Sequence, residues 1–129
     1  MEDLVKIIVD YFKGKNLPIE SIADEIDKAK KEVLESFIKD DEVYLQKRSG
    51  NIEAYKDSKI ERSIINAARN KQIQISSSDI SILIDDIERK IEGYKGKILP
   101  TKRLKEIVEE VLEKDGYNKV LDSYKSYIK

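Results

Sequence analysis

The sequence predicts an α+β fold that is mostly α, on three observations. Apolar residues recur at helical spacing in six separate stretches. Residues 43–55 alternate with a period of two around a Ser49-Gly50-Asn51 turn. A short Lys97-Ile98-Leu99 segment lies between a glycine-broken helix and the start of another. In order, a helical segment over 1–42 precedes strand, strand, helix, helix, strand, helix, helix over 43–129. At 129 residues the chain is long enough for one domain with an appendage, and for a core without staples.

The first helix, residues 3–13, is very apolar, with Leu4, Ile7, Ile8, Tyr11 and Phe12 in phase, and Gly14 ends it. Pro18 suits the first turn of a second helix because its missing N–H is not needed there. That helix, reaching toward Lys39, aligns Ile22, Ile26, Ala29, Val33 and Phe37. Asp40-Asp41-Glu42 reads as its end. After the hairpin, Asp57 or Ser58 is placed to cap a helix with Ile60, Ile64, Ala67 and Ala68 on its apolar face. Ser78 or Asp79 is placed to cap the next, which aligns Ile80, Leu83, Ile84, Ile87 and Ile91. Gly93 and Gly96 break it. Thr101 opens a helix that buries Leu104, Ile107, Val108, Val111 and Leu112, and Asp115-Gly116 closes it. The last helix carries Tyr117, Val120, Leu121, Tyr124, Tyr127 and Ile128, with Tyr124 expected in the core.

Composition removes several kinds of chemistry. With no cysteine there are no disulfides or thiolate metal sites, and with no histidine the usual general base and zinc ligand are missing. Hydrolysis through a Ser-His or Cys-His pair is excluded. Neither a P-loop nor an evident base for phosphoryl transfer is present, so the chain is read as a non-enzyme. A metal ion would be a hard cation such as Mg²⁺, held by carboxylates and ligand phosphates. No apolar run exceeds three residues and the start, MEDLVK, does not read as a signal peptide, so a cytoplasmic setting without a membrane is expected. Residues 1–42 hold 7 Lys/Arg against 12 Asp/Glu, and residues 43–129 hold 18 against 14. An anionic ligand therefore belongs to the second part.

Within that part, the hairpin and the helix start behind it gather Lys47, Arg48 and Lys59 around Glu53. Arginine suits forked contact with phosphate oxygens. A helix N-terminus, where Lys59 lies, carries partial positive charge and free N–H groups. On charge alone, a solvated basic face explains these residues equally well.

The pattern Lys47-Arg48-Ser49-Gly50, then Glu53, then Lys59-Ile60, resembles the opening of an ATP-cone. This nucleotide-binding regulatory domain stands at the front of many ribonucleotide reductases and in the repressor of their genes. Ser49 replaces the family's usual acidic residue, and Tyr55 its usual apolar one. The element order behind the hairpin and the Tyr-rich final helix are similar to the family's, and the resemblance covers about residues 43–129. It implies a four-helix bundle capped by a small three-stranded sheet. It implies ATP or dATP as ligand, with Mg²⁺, and a site built from Lys47, Arg48, Glu53, Lys59, Ile60, Thr101 and Tyr127. Thr101 would lie near the nucleotide, or simply cap its helix. Tyr127 would lie near the base. Lys129 stands just before a position where the family carries a basic residue.

The front of the chain echoes its back. Phe12-Lys13-Gly14-Lys15-Asn16-Leu17-Pro18 matches Tyr94-Lys95-Gly96-Lys97-Ile98-Leu99-Pro100. Residues 1–42 thus look like half of another cone, without its hairpin. The resemblance implies a sensor acting on a partner such as a ribonucleotide reductase, or through its own homo-oligomer. Two alternatives stand beside it. One is a nucleotide-gated transcription regulator using the N-terminal helices. DNA is not expected as a partner, because Asp27 replaces the turn glycine of a helix-turn-helix and the surface there is acidic. The other is a degenerate cone serving as an adaptor without ligand.

Overall fold

A computed structural model describes residues 2–94 and 97–127; the side chain of Tyr127, and the expectations placed on Gly96, Ile128 and Lys129, lie outside what it describes. The chain divides into two units, residues 1–38 and 39–129.

The first unit holds α1 (Asp3–Phe12) and α2 (Ile19–Phe37). Gly14 sits at φ +80°, where a side chain would be strained, and the chain leaves α1 there. Pro18 is the N-cap of α2 with φ −64°. The helix is roughly 28 Å long by its residue count. Neither helix contributes a buried residue.

The second unit is a four-helix bundle with a small mixed sheet. Its elements are β1 (Tyr44–Gln46), β2 (Ile52–Ala54), α3 (Asp57–Asn70), α4 (Ser77–Glu92), β3 (Ile98–Pro100), α5 (Thr101–Lys114) and α6 (Asn118–Tyr127). The helices form a closed ring of neighbours: α3 meets α4, α4 meets α5, α5 meets α6, and α6 returns to α3. The apolar spacing read from the sequence fills this core. Ile64, Ala67 and Ala68 come from α3, and Ile80, Leu83, Ile84, Ile87 and Ile91 from α4. Leu104, Ile107, Val108, Val111 and Leu112 come from α5, and Val120, Leu121 and Tyr124 from α6. Burial and the charge of Glu109 push the Tyr124 hydroxyl far above its ordinary pKa, so it stays neutral.

The strand order is β2-β1-β3, with β1 in the centre. β2 runs antiparallel to β1, pairing Tyr44 with Ala54 and Gln46 with Ile52. β3 runs parallel to it, pairing Tyr44 with Ile98 and Gln46 with Pro100. Pro100 stands at the strand's last position, where its missing N–H is tolerated. Leu45 and Leu99, directly paired, both join the bundle core. A two-stranded hairpin of this length is marginal alone; the third strand and the bundle hold it.

Two cap assignments differ from the sequence reading. α4 begins two or three residues earlier than expected, with Ser76 as its cap: the Ser76 hydroxyl accepts the Asp79 N–H at 3.1 Å. α3 begins at Asp57 itself, so its cap is Lys56, whose side chain accepts nothing. At the surface, Glu110 of α5 bonds Arg103 at 3.1 Å and Lys90 of α4 at 3.3 Å. These bonds hold its carboxyl below the ordinary range. Such exposed pairs contribute little beside the core.

The core predicts a contrast between two isoleucines. Ile64 is 0% exposed and Ile82, on the outer side of α4, is 57% exposed. Ile64→Ala should lower the unfolding free energy by about 2–5 kcal/mol. Ile82→Ala should change it by no more than about 0.5 kcal/mol. Urea denaturation followed by circular dichroism measures both.

Candidate nucleotide-binding site

The hairpin turn positions the first residues of the site. Gly50 takes φ +92°, its N–H donates to the Lys47 carbonyl at 2.9 Å, and the Lys47 N–H donates to the Asn51 carbonyl at 2.9 Å. The Ser49 hydroxyl accepts the Asn51 N–H at 3.4 Å. A small polar residue at 49 thus serves the turn itself.

Register then decides which side chains meet. Glu53 is paired with Leu45, and directly paired residues share one face of a sheet. Leu45 faces the bundle, so Glu53 does too. Lys47, two residues beyond Leu45, falls on the same face. Lys59 reaches it from the first turn of α3. The result is one carboxylate between two ammonium groups: Glu53 Oε2 is 3.2 Å from Lys47 Nζ and 4.0 Å from Lys59 Nζ. The Glu53 side chain is 33% exposed and both lysines are more exposed. Arg48 projects from the turn, exposed, and forms no ion pair with the described residues. Ile60 is half-buried and packs on the core, so it fixes the α3 turn that carries Lys59.

Thr101 opens α5 directly after β3. Because β1 and β3 are parallel and Gln46 pairs with Pro100, Lys47 and Thr101 leave neighbouring strands at the same end of the sheet. Tyr127 is the last residue of α6. The structure therefore brings Lys47, Glu53 and Lys59 into contact, sets Arg48 and Thr101 at the same sheet end, and uses Ile60 as packing.

The opposite end of the sheet has the opposite charge, which the sequence reading missed. A cavity of about 650 Å³ opens where β1 begins and β2 ends. Five carboxylates line it, Asp40, Asp41, Glu42, Glu88 and Glu92, together with Tyr44, Tyr55 and Tyr94. Lys97 is paired with Asp40 at 3.1 Å. The Tyr55 hydroxyl is buried and makes no hydrogen bond with the described residues. Desolvation first, then the charges of Glu88 and Asp57, push its pKa far up. Glu88 is itself raised, by desolvation and by Asp57, Asp85 and Glu92. This cavity repels phosphate despite its size. Among the described residues no group of acidic side chains is arranged to hold a metal ion. The acidic run at 40–42 was visible in sequence. Its meeting with Glu88 and Glu92 depends on α4 passing the start of β1.

The second unit is thus a four-helix bundle with a sheet whose one end collects lysines around a glutamate. The model of the ATP cone domain family matches residues 43–129, and the chain belongs to that family of nucleotide-binding regulatory domains. Among curated proteins, the transcriptional repressor NrdR of Halomicrobium mukohataei is 26% identical over 86 residues, covering 64% of this chain and 52% of that protein. The chain thus spans about half the length of this relative.

The crowded carboxylates predict a pH effect. A raised carboxyl pKa means the folded state holds the proton more tightly than the unfolded state, so stability falls as pH rises through that range. Glu88→Gln should therefore raise the melting temperature slightly at pH 7. The difference from the parent protein should vanish as pH falls below the ordinary carboxylate range, where both side chains are neutral in the folded and unfolded states. Calorimetric scans across pH measure it.

Proposed function

We propose that residues 43–129 bind ATP or dATP at the turn end of the sheet and report nucleotide state without catalysing a reaction. The observation that carries this is the convergence of Lys47 and Lys59 on Glu53 at 3.2 and 4.0 Å. In this reading, Lys47, Lys59 and Arg48 take the phosphates. Glu53 holds the two ammonium groups in place and accepts from the adenine amino group or a ribose hydroxyl. The uncapped start of α3 adds N–H groups for an anion. Thr101 offers a hydroxyl from the adjacent strand exit, and Tyr127 an aromatic ring near the base. Ile60 keeps Lys59 in register. Mg²⁺ enters with the triphosphate.

The nucleotide state is passed to a partner, for which a ribonucleotide reductase is the natural candidate in this family, or to the chain's own oligomer, in the cytoplasm. A ligand shifts such an equilibrium only by its differential affinity for the two states, and phosphate number and the 2′-hydroxyl are the differences available. The front unit is read as half a cone. Pro18 and Pro100 both cap a following helix, while residues 14–17 form no strand.

A second reading, a nucleotide-gated transcription regulator, is favoured by the similarity to a repressor. Against it, Lys28, Lys30 and Lys31 form the basic cluster on α2 and lie among acids. Salt-sensitive retardation of duplex DNA would establish it, and unretarded DNA would remove it.

Isothermal titration with ATP and with dATP tests the main proposal. Binding is expected, with Lys47→Ala and Lys59→Ala each weakening it about 10- to 100-fold, the loss of one charge-assisted contact. Nucleotide at about 100 times its Kd should stabilise the fold by about 2.7 kcal/mol. No heat and an unmoved melting temperature would sink the proposal and leave the ligand-free adaptor.

A further inference from the structure

The carboxylate at the turn end of the sheet stands where an anion belongs. Both ion pairs of the cluster are made by one oxygen: Glu53 Oε2 lies 3.2 Å from Lys47 Nζ and 4.0 Å from Lys59 Nζ. A phosphoryl oxygen set between two ammonium groups is held in the same way. Glu53 thus fills the seat that the two lysines offer an anion, using an anion of the chain's own.

The seat is easily vacated but its occupant does not go far. The side chains of Lys47, Lys59 and Glu53 are 50%, 61% and 33% exposed. Ion pairs this open to water are weak, so a multiply charged anion displaces the carboxylate. The backbone of Glu53 stays in place, because it is paired with Leu45 and Leu45 is locked in the bundle core. Only the side chain turns away. The displaced carboxylate has then lost both ammonium partners and remains beside incoming phosphates of its own sign, which repel it. A ligand offsets that loss when it brings the carboxylate a hydrogen-bond donor. A nucleoside has such donors in its ribose hydroxyls and the adenine amino group. An inorganic polyphosphate brings the charge without sugar or base.

We infer, resting on the reading that this end of the sheet binds a nucleotide, that Glu53 is its selectivity residue. It is an internal counter-anion that a phosphate must displace from Lys47 and Lys59, and it discriminates against inorganic polyphosphates in favour of nucleotides. A merely structural role differs in sign. If Glu53 only positioned the lysines, removing its charge would weaken every anion. As a competitor, its removal strengthens the anions that have nothing to offer it.

Isothermal titration of the whole chain and of Glu53→Gln tests this, with sodium tripolyphosphate and with ATP in the same Mg²⁺-containing buffer. Tripolyphosphate should bind the variant about tenfold more tightly, the worth of two partly exposed ion pairs it no longer breaks. ATP should gain much less or lose affinity, so its advantage over tripolyphosphate should shrink at least about threefold. Glu113→Gln removes the same charge from the exposed far end of α5 and should leave both affinities within about twofold. Glu53 lies on an edge strand and is partly exposed, so the variant should keep the melting transition of the bundle. Tripolyphosphate that binds the variant no better than the parent protein overturns the proposal. So does an equal gain for both ligands, and so does the absence of tripolyphosphate binding by either protein. ATP bound by neither protein removes the nucleotide reading instead, while the tripolyphosphate arm still decides whether Glu53 competes for the lysines.

Discussion

The fold of the second unit depends on one short parallel pairing. Three residues of β3 lie along three residues of β1, and the pairing joins Tyr44 to Ile98 across more than fifty positions of chain. It places β1 in the middle of the sheet and buries Leu45 against Leu99 over the bundle. It also sets the start of α5 beside the exit of β1. A parallel pair requires a long crossover, and here α3 and α4 are that crossover. The hairpin alone would give Lys47 and Glu53 a common face but leave them on a flap. The third strand fixes that face against the helices, and only then does Lys59 reach the same carboxylate from α3.

Much of this was legible in the residues. Every apolar position read for α4 and α5 is buried, because both are long amphipathic helices whose periodicity leaves one choice of face. Thr101 does open α5, and Tyr124 does lie in the core. Strand ends and caps were harder. Asp57 and Ser58 are good capping residues, yet the cap falls on Lys56, directly after Tyr55, whose N–H still donates to the Val43 carbonyl. Ser76 takes the cap of α4 in place of Ser78, its hydroxyl accepting the Asp79 N–H. The site itself was legible only as a list. Alternation puts Lys47 and Glu53 on one face once their register is known, and register comes from the turn. That Ile60 packs inward follows from its phase with Ile64, not from the signature that drew attention to it.

What no local pattern revealed was the acidic end. Asp40 to Glu42 read as the end of a helix, and Glu88 and Glu92 drew no reading at all. Their meeting around Tyr55 is a tertiary fact. The exposure of α1 and α2 is similar: the helices were evident, but the spacing could not show that their apolar residues would find no cover within their own unit.

The two ends of the sheet give the unit a directional field. Ammonium and guanidinium groups gather at the hairpin turn and five carboxylates gather at the other end, so the potential changes sign along the strands. Under the proposed function, this field would steer a polyanionic nucleotide toward the turn end. Such steering raises association rates and fades as added salt shortens the Debye length. In the proposed reading, the carboxylates around Tyr55 would act on a nucleotide they do not contact, by narrowing the directions from which it arrives.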